Sequence, residues 1–128
     1  MQVNAFIATA HKRPQVEQKT YALFRSHGFE PRFIDRPEPS RVAECIKRTK
    51  TDIFILCDED VHVEKTVLIE AINLLINNPY ISKLSLSEGS VMGIAGDFVE
   101  TRYVTGCAII KKAEGKTALA TNLTYTRL

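Results

Sequence analysis

Cysteine is scarce in this sequence and tryptophan is absent. The chain of 128 residues has three cysteines, Cys45, Cys57 and Cys107, which are far apart and lie among apolar residues. An odd number of cysteines without Cys-x-x-Cys or Cys/His spacing argues against both a disulfide framework and a zinc site. Unpaired cysteines are typical of proteins in a reducing compartment, so the sequence predicts a cytoplasmic location.

A large excess of charge and a long apolar run are also missing. Lys and Arg number 17 and Asp and Glu number 15, for a formal net charge of +2. This near balance does not favour nucleic-acid binding. No apolar run approaches the length of a membrane span, and the start MQVNAFIATAHKRP lacks a signal-peptide pattern. Apolar residues make up 45% of the chain, which predicts a single globular domain with its own core.

Strand and helix patterns alternate up to Pro79. Short apolar or β-branched runs predict strands, and apolar residues at helical spacing predict helices. The predicted strands cover residues 3–9, 31–35 and 53–58, and the predicted helices cover residues 15–27, 41–50 and 64–77. Gly28 is expected to end the first helix as a C-cap. This alternation implies a parallel sheet with right-handed crossovers.

The pattern changes after Pro79, where no further long helix is predicted. Strands are predicted over residues 81–86, 91–95 and 103–111, followed by a hairpin turn at 113–116 and a threonine-rich segment at 117–125. The predicted fold class is therefore α/β. We expect one domain over residues 1–128, with a three-layer, Rossmann-like, mostly parallel sheet and an antiparallel C-terminal extension.

The stretch TDIFILCDEDVHVEK, residues 51–65, contains the strongest candidate site. Its continuous apolar run is typical of a strand buried on both faces. Parallel sheets bind ligands at the carboxyl ends of their strands, which is where Asp58, Glu59 and Asp60 follow. In an extended chain Asp58 and Asp60 point to one side and Glu59 to the other. Two such carboxylates suit Mg²⁺ or Mn²⁺, which would in turn hold a diphosphate.

Several features in chain order form a recognisable combination. The first strand ends in a turn at residues 9–13, the second ends in Asp35, a helix precedes ILCDED, and the next helix ends in NNP. A strand of small residues, TGCAIIKK, follows at 105–112. Over residues 3–112 this combination resembles the GT-A class of glycosyltransferases, closest to the family 2 type.

The resemblance implies a metal-dependent transferase that binds a nucleoside-diphosphate sugar and passes the sugar to an unknown acceptor. Asp58 and Asp60 would hold Mn²⁺ or Mg²⁺ as a D-x-D motif. The metal would act as a Lewis acid on the leaving diphosphate. The residues that would line the nucleotide are Thr9, His11 and Arg13, with Asp35 at the base and Asp58 at the diphosphate.

The catalytic base of that family has no obvious counterpart in this sequence. Inverting members carry a carboxylate after the strand that TGCAIIKK resembles, whereas here only Glu114 is acidic after Lys112. The candidate catalytic residues are therefore Asp97 and Glu100, in GDFVET. A base must lie within hydrogen-bond reach of the acceptor hydroxyl. The sequence favours an enzyme but leaves open whether the chain turns over substrate alone, needs another chain, or binds without turnover.

Two other interpretations stay open. The chain can be a non-catalytic α/β binding or oligomerisation module of the same fold, in which the acids are surface features and the strands after Pro79 form a homo-oligomer interface. Asp58, Asp60 and His62 can also form a phosphoryl-transfer or nuclease-like metal site. That interpretation is weaker because no second acid cluster completes it. Asp35 lies two residues before Pro37, and aspartate near proline is also common in turns.

Overall fold

A computed structural model of the chain describes residues 3–35, 37, 40–79, 81–86, 96–100, 106–112 and 121–127, with backbone alone for 82, 96–100 and 121–127. Three helices and seven strands follow one another within these ranges. They are β1 (Asn4–Ala8), α1 (Pro14–Ser26), β2 (Pro31–Ile34), α2 (Ser40–Arg48), β3 (Ile53–Asp58), α3 (Lys65–Asn77), β4 (Ile81–Leu86), β5 (Gly96–Glu100), β6 (Cys107–Lys111) and β7 (Thr121–Arg127).

The described strands form one mixed sheet in the order β2-β1-β3-β6-β4-β7-β5. β1 pairs in parallel with β2 and β3, and β4 pairs in parallel with β7. The pairs β3–β6, β4–β6 and β5–β7 are antiparallel. The prediction of a mostly parallel sheet with an antiparallel extension is therefore confirmed only in part, because the sheet is mixed. Helical crossovers keep the first three strands parallel, but β6 enters between β3 and β4 in the opposite direction.

Helices cover both faces of the sheet and give the predicted three layers. Phe24 of α1 and Leu68 of α3 pack with Ile55 in one apolar cluster. Cys45 of α2 packs with Phe54 in a second cluster on the other face. Because successive strand residues point to opposite faces, a strand buried on both faces must be apolar throughout. This explains the continuous apolar run of β3.

The helix end predicted at Gly28 is confirmed. Gly28 has a φ of +94°, its N–H donates to the Arg25 carbonyl oxygen at 3.0 Å, and the Phe29 N–H donates to the Phe24 carbonyl oxygen at 3.0 Å. These bonds satisfy carbonyl groups at the end of α1 and require a residue that tolerates the left-handed conformation. The turn directs the chain back into β2.

The second half matches its predicted elements only in part, with β4 at the predicted residues. The strand predicted at 91–95 and the hairpin turn predicted at 113–116 lie outside the described residues. Gly96–Glu100 is a strand that was not predicted, and the last strand covers Thr121–Arg127. Within the described part of the chain, every helix falls short of the length and apolar character that crossing a membrane requires.

Candidate functional site

The carboxyl ends of β2, β1 and β3 meet at one edge of the sheet. Asp35 follows β2, Thr9 follows β1, and Asp58 ends β3. The strand order puts the topological switch point between β1 and β3, the position where open α/β sheets bind ligands. Ala8 pairs with Asp58, so the residues that follow the two strands, Thr9 and Glu59, lie side by side at the switch point.

Glu59 connects the loop after β3 to the loop after β1. Its Oε2 atom lies 2.9 Å from Thr9 Oγ1, and its Oε1 atom accepts a hydrogen bond from Arg13 Nη2 at 3.0 Å. The hydroxyl of Thr20, a buried residue of α1, donates to the backbone carbonyl oxygen of Glu59. Three groups of the β1–α1 unit therefore fix Glu59.

Asp60 is the outer carboxylate of the cluster. Its Oδ2 atom lies 3.5 Å from Arg13 Nη2, the same nitrogen that donates to Glu59. Glu59 first, and Asp60 to a smaller extent, raise the pKa of the Arg13 guanidinium above its ordinary value. The predicted nucleotide residue Arg13 and the predicted metal ligand Asp60 are thus in contact.

The chain turns directly after Asp58. The N–H of Val61 donates to the Asp58 carbonyl oxygen at 3.2 Å, and residues 59–60 form the turn between them. The expectation of an extended backbone from Asp58 to Asp60 is therefore wrong, and a common direction of their carboxylates stays a prediction. Strand alternation holds only as far as Asp58, because it requires an extended chain. Asp60 instead shares a partner with Glu59.

Asp58 lies against the start of β6. Its N–H donates to the Gly106 carbonyl oxygen at 2.7 Å. A Cβ atom added to Gly106 would lie 3.4 Å from Asp58 Oδ2 and 2.5 Å from Val61 Cγ2. The missing side chain at position 106 therefore gives space to both the Asp58 carboxylate and the turn that follows it.

Glu17, in the first turn of α1, forms the buried end of the network. Its Oε2 atom accepts a hydrogen bond from Thr9 Oγ1 at 2.8 Å and lies 3.0 Å from His11 Nδ1. His11 takes a φ of 57°, and its N–H donates to Thr9 Oγ1 at 3.0 Å. The hydrogen bond from Thr9 and, more weakly, the contact with His11 lower the pKa of the Glu17 carboxyl despite its burial.

Glu17→Gln is expected to remove part of the acid sensitivity of the fold. A carboxyl whose pKa is lowered by folding stabilises the native state above its unfolded pKa, about 4.3 for glutamate, and this stabilisation disappears as the pH falls through the folded pKa. Urea unfolding midpoints at pH 6 and pH 3.5 should show wild type more stable than the variant at pH 6, with a smaller difference at pH 3.5. Glu30→Gln is the control, because Glu30 is exposed. A difference that does not change with pH would contradict the assignment.

The two candidate catalytic acids lie on β5, at the edge of the sheet opposite β2. The pairing of successive strands places Asp97 at the same level of the sheet as Asp58. Glu100 lies three residues further from the end of the sheet where Asp58 is located. Four strand spacings separate β5 from β3, roughly 19 Å at about 4.8 Å each. A substrate held at Asp58 would have to extend across β6, β4 and β7 to reach Asp97. A catalytic role for either acid stays a prediction.

A cavity of about 500 Å³ lies between the end of α1 and the start of α3. His62, the third ligand of the nuclease-like interpretation, is exposed and lines it. The Nε2 atom of His27 lies 2.8 Å from the Val63 carbonyl oxygen and ties α1 to the loop after β3. The lining residues are Leu23, His27, His62, Val63, Glu64, Lys65 and Thr66. None of the residues predicted to bind the nucleotide sugar or its cation is among them.

Four of the predicted residues come together through two residues that sequence reasoning did not select. Thr9, His11, Arg13 and Asp60 are joined by Glu17 and Glu59. Glu59 owes its place to the strand register, which no sequence pattern fixes, since it directly follows the residue that pairs with Ala8. Glu17 lies four residues after Arg13, at a position where an acid suits a helix N-terminus. No group of three or more His, Cys, Asp or Glu side chains placed to hold a metal occurs among the described residues.

Comparisons with known proteins identify the fold. No protein-family model matches the sequence, and no curated protein matches it. A glycosyltransferase involved in the glycosylation of the major capsid of PBCV-1 is 16% identical with a TM-score of 0.56, over 91% of this chain and 62% of that chain. The chain shares its fold with glycosyltransferases. The structure of S. aureus TarS 1-349 is 10% identical with a TM-score of 0.51, over 98% of this chain and 60% of that chain.

Both of these structures have longer chains than this protein. This chain spans about three fifths of the length of either one, since it covers 62% and 60% of them. At these identities the likeness establishes the fold and a mixed α/β sheet.

Proposed function

We propose that this chain binds a nucleoside-diphosphate sugar together with a divalent cation and belongs to a glycosyltransferase that transfers the sugar to an acceptor. The observation that carries the proposal is the meeting of Arg13 with Glu59 and Asp60 at the switch point of the sheet. There a guanidinium from the loop after β1 meets a largely buried and an exposed carboxylate from the loop after β3, where α/β sheets bind ligands. The glycosyltransferase-like fold supports the choice of reaction.

Asp58 and Asp60 are the proposed ligands of Mn²⁺ or Mg²⁺. Their carboxylate oxygens suit a hard cation, and Mg²⁺ is commonly held by one or two carboxylates plus substrate phosphates. The exposed side chain of Asp60 fits this use. When bound, the cation would neutralise charge on the leaving diphosphate.

The remaining residues of the edge are proposed to hold the nucleotide. The half-exposed guanidinium of Arg13 can donate charge-assisted hydrogen bonds to phosphate oxygens. Thr9 stabilises the loop after β1, because its hydroxyl contacts both Glu17 and Glu59. Asp35 is exposed at the end of β2, next to β1, where it can accept a hydrogen bond from a base.

A thermal-shift screen of UDP, GDP, CDP and ADP, each with and without MnCl₂, tests the proposal. Binding to the native state alone raises stability by about 2.7 kcal/mol at a ligand concentration of 100 Kd. We therefore expect one nucleotide to raise Tm by several degrees when Mn²⁺ is present and much less when it is absent. No shift with any nucleotide, combined with a large homo-oligomer by light scattering, would favour the non-catalytic module instead.

A further inference from the structure

Arg13 meets two carboxylates through one nitrogen, and the two contacts differ in strength. Nη2 lies 3.0 Å from Oε1 of Glu59 and 3.5 Å from Oδ2 of Asp60. The Glu59 side chain is 14% exposed, whereas that of Asp60 is 53% exposed. Because hydrogen bonds weaken with distance and exposed ion pairs are screened by water, the contact with Glu59 is the stronger one.

Glu59 is itself immobilised by buried groups. Thr9 Oγ1 lies 2.9 Å from its second carboxylate oxygen, and the hydroxyl of Thr20 donates to its backbone carbonyl oxygen. Both threonines are buried. Glu59 is therefore the fixed partner of Arg13, and Asp60 is the partner that can be exchanged.

We propose that Glu59 is a positioning residue that holds Arg13 at the site, and that Arg13 exchanges its second partner when ligand binds. Without a cation, Arg13 compensates the charge of Asp60. When Asp60 binds Mn²⁺ or Mg²⁺, the second Nη2 hydrogen becomes available to a phosphate oxygen of the diphosphate. A guanidinium has five N–H donors, so it can keep Glu59 and bind phosphate together. This inference rests on the proposed function and assigns recognition of the diphosphate to Arg13.

Calorimetric titration of four proteins tests the coupling. They are wild type, Arg13→Gln, Glu59→Gln and the double variant, each titrated in MnCl₂ with whichever of UDP, GDP, CDP or ADP binds wild type best. Each single variant should lose about tenfold or more in affinity, as expected for a charge-assisted hydrogen bond. The double variant should bind no more weakly than Arg13→Gln, because Glu59 acts through Arg13. In the single variants, the affinity for the matching nucleoside monophosphate should fall less than the affinity for the diphosphate. Arg13→Lys should recover part of the lost diphosphate affinity.

A second measurement needs no nucleotide. Mn²⁺ alone, titrated and followed by the EPR signal of the free ion, should bind Arg13→Gln severalfold more tightly than wild type. The reason is that the substitution removes a positive charge that competes for Asp60.

The outcomes separate the two proposals. If the double variant loses as much affinity as the two single variants together, Glu59 does not act through Arg13. If Arg13→Gln keeps its diphosphate affinity, Arg13 does not bind the diphosphate. In both cases the proposed nucleotide function stands. Unchanged or weaker Mn²⁺ binding by Arg13→Gln would show that Arg13 and the cation do not compete for Asp60 and would overturn the exchange of partners. A wild-type protein that binds none of the four diphosphates in MnCl₂ would refute the proposed function itself, and this inference with it.

Discussion

Asp58→Asn is expected to abolish the Mn²⁺-dependent part of nucleoside-diphosphate binding while the protein stays folded. Asparagine has nearly the volume of aspartate but no negative charge, so it is a poor ligand for a hard cation. The bond from the Asp58 N–H to the Gly106 carbonyl oxygen at 2.7 Å involves the backbone and is retained. We expect the affinity in MnCl₂ to fall by about tenfold or more, or at least about 1.4 kcal/mol.

The matched control for this experiment is Asp52→Asn. Asp52 is an exposed acid just before β3, at the end of that strand away from the site. The same change of charge at this position should leave the Mn²⁺-dependent Tm shift as in wild type. If Asp58→Asn keeps that shift, Asp58 is not a metal ligand and the D-x-D assignment is wrong.

Gly106→Ala is expected to destabilise the fold and to disturb the site at the same time. The new Cβ would lie 2.5 Å from Val61 Cγ2, closer than the atoms can approach, so the turn after Asp58 must shift. Overpacking of this kind costs about 1–3 kcal/mol of unfolding free energy. Urea unfolding should show the loss, and titration in MnCl₂ should show weaker nucleotide binding, because the Asp58 carboxylate lies on the same turn.

Removing the clashing atom provides the control. In a Val61→Ala background, Cγ2 is absent, and Gly106→Ala should then cost much less than in wild type. This non-additivity is expected for side chains in direct contact. Equal costs in the two backgrounds would show that contact with Val61 is not the reason for a glycine at position 106.

The position of the site was predictable because it depends on local pattern and chain order. The apolar run before Asp58 identifies a strand buried on both faces, and the alternation of strands and helices places its carboxyl end with those of β1 and β2. Thr9, Arg13, Asp35 and Asp58 all lie at that edge. Their roles toward nucleotide and metal stay predictions.

Contacts within the site were not predictable from pattern. Thr9 and Glu59 are separated by 50 positions, and their hydrogen bond depends on the register that pairs Ala8 with Asp58. Hydrophobic periodicity identifies a strand but does not fix the residue it pairs with. The backbone at residues 59–60 also forms a turn, where the sequence pattern had predicted extended chain between Asp58 and Asp60.

The sequence by itself determined the α/β alternation of the first half, the buried β3 and its acidic end, because these follow from apolar spacing and from Gly28. The tertiary structure decided the mixed sheet, with β6 between β3 and β4, and the network that Glu17 and Glu59 build around Thr9 and Arg13. The physical reason is that strand order and register are set by packing between distant segments, whereas periodicity records only which face of a segment is buried.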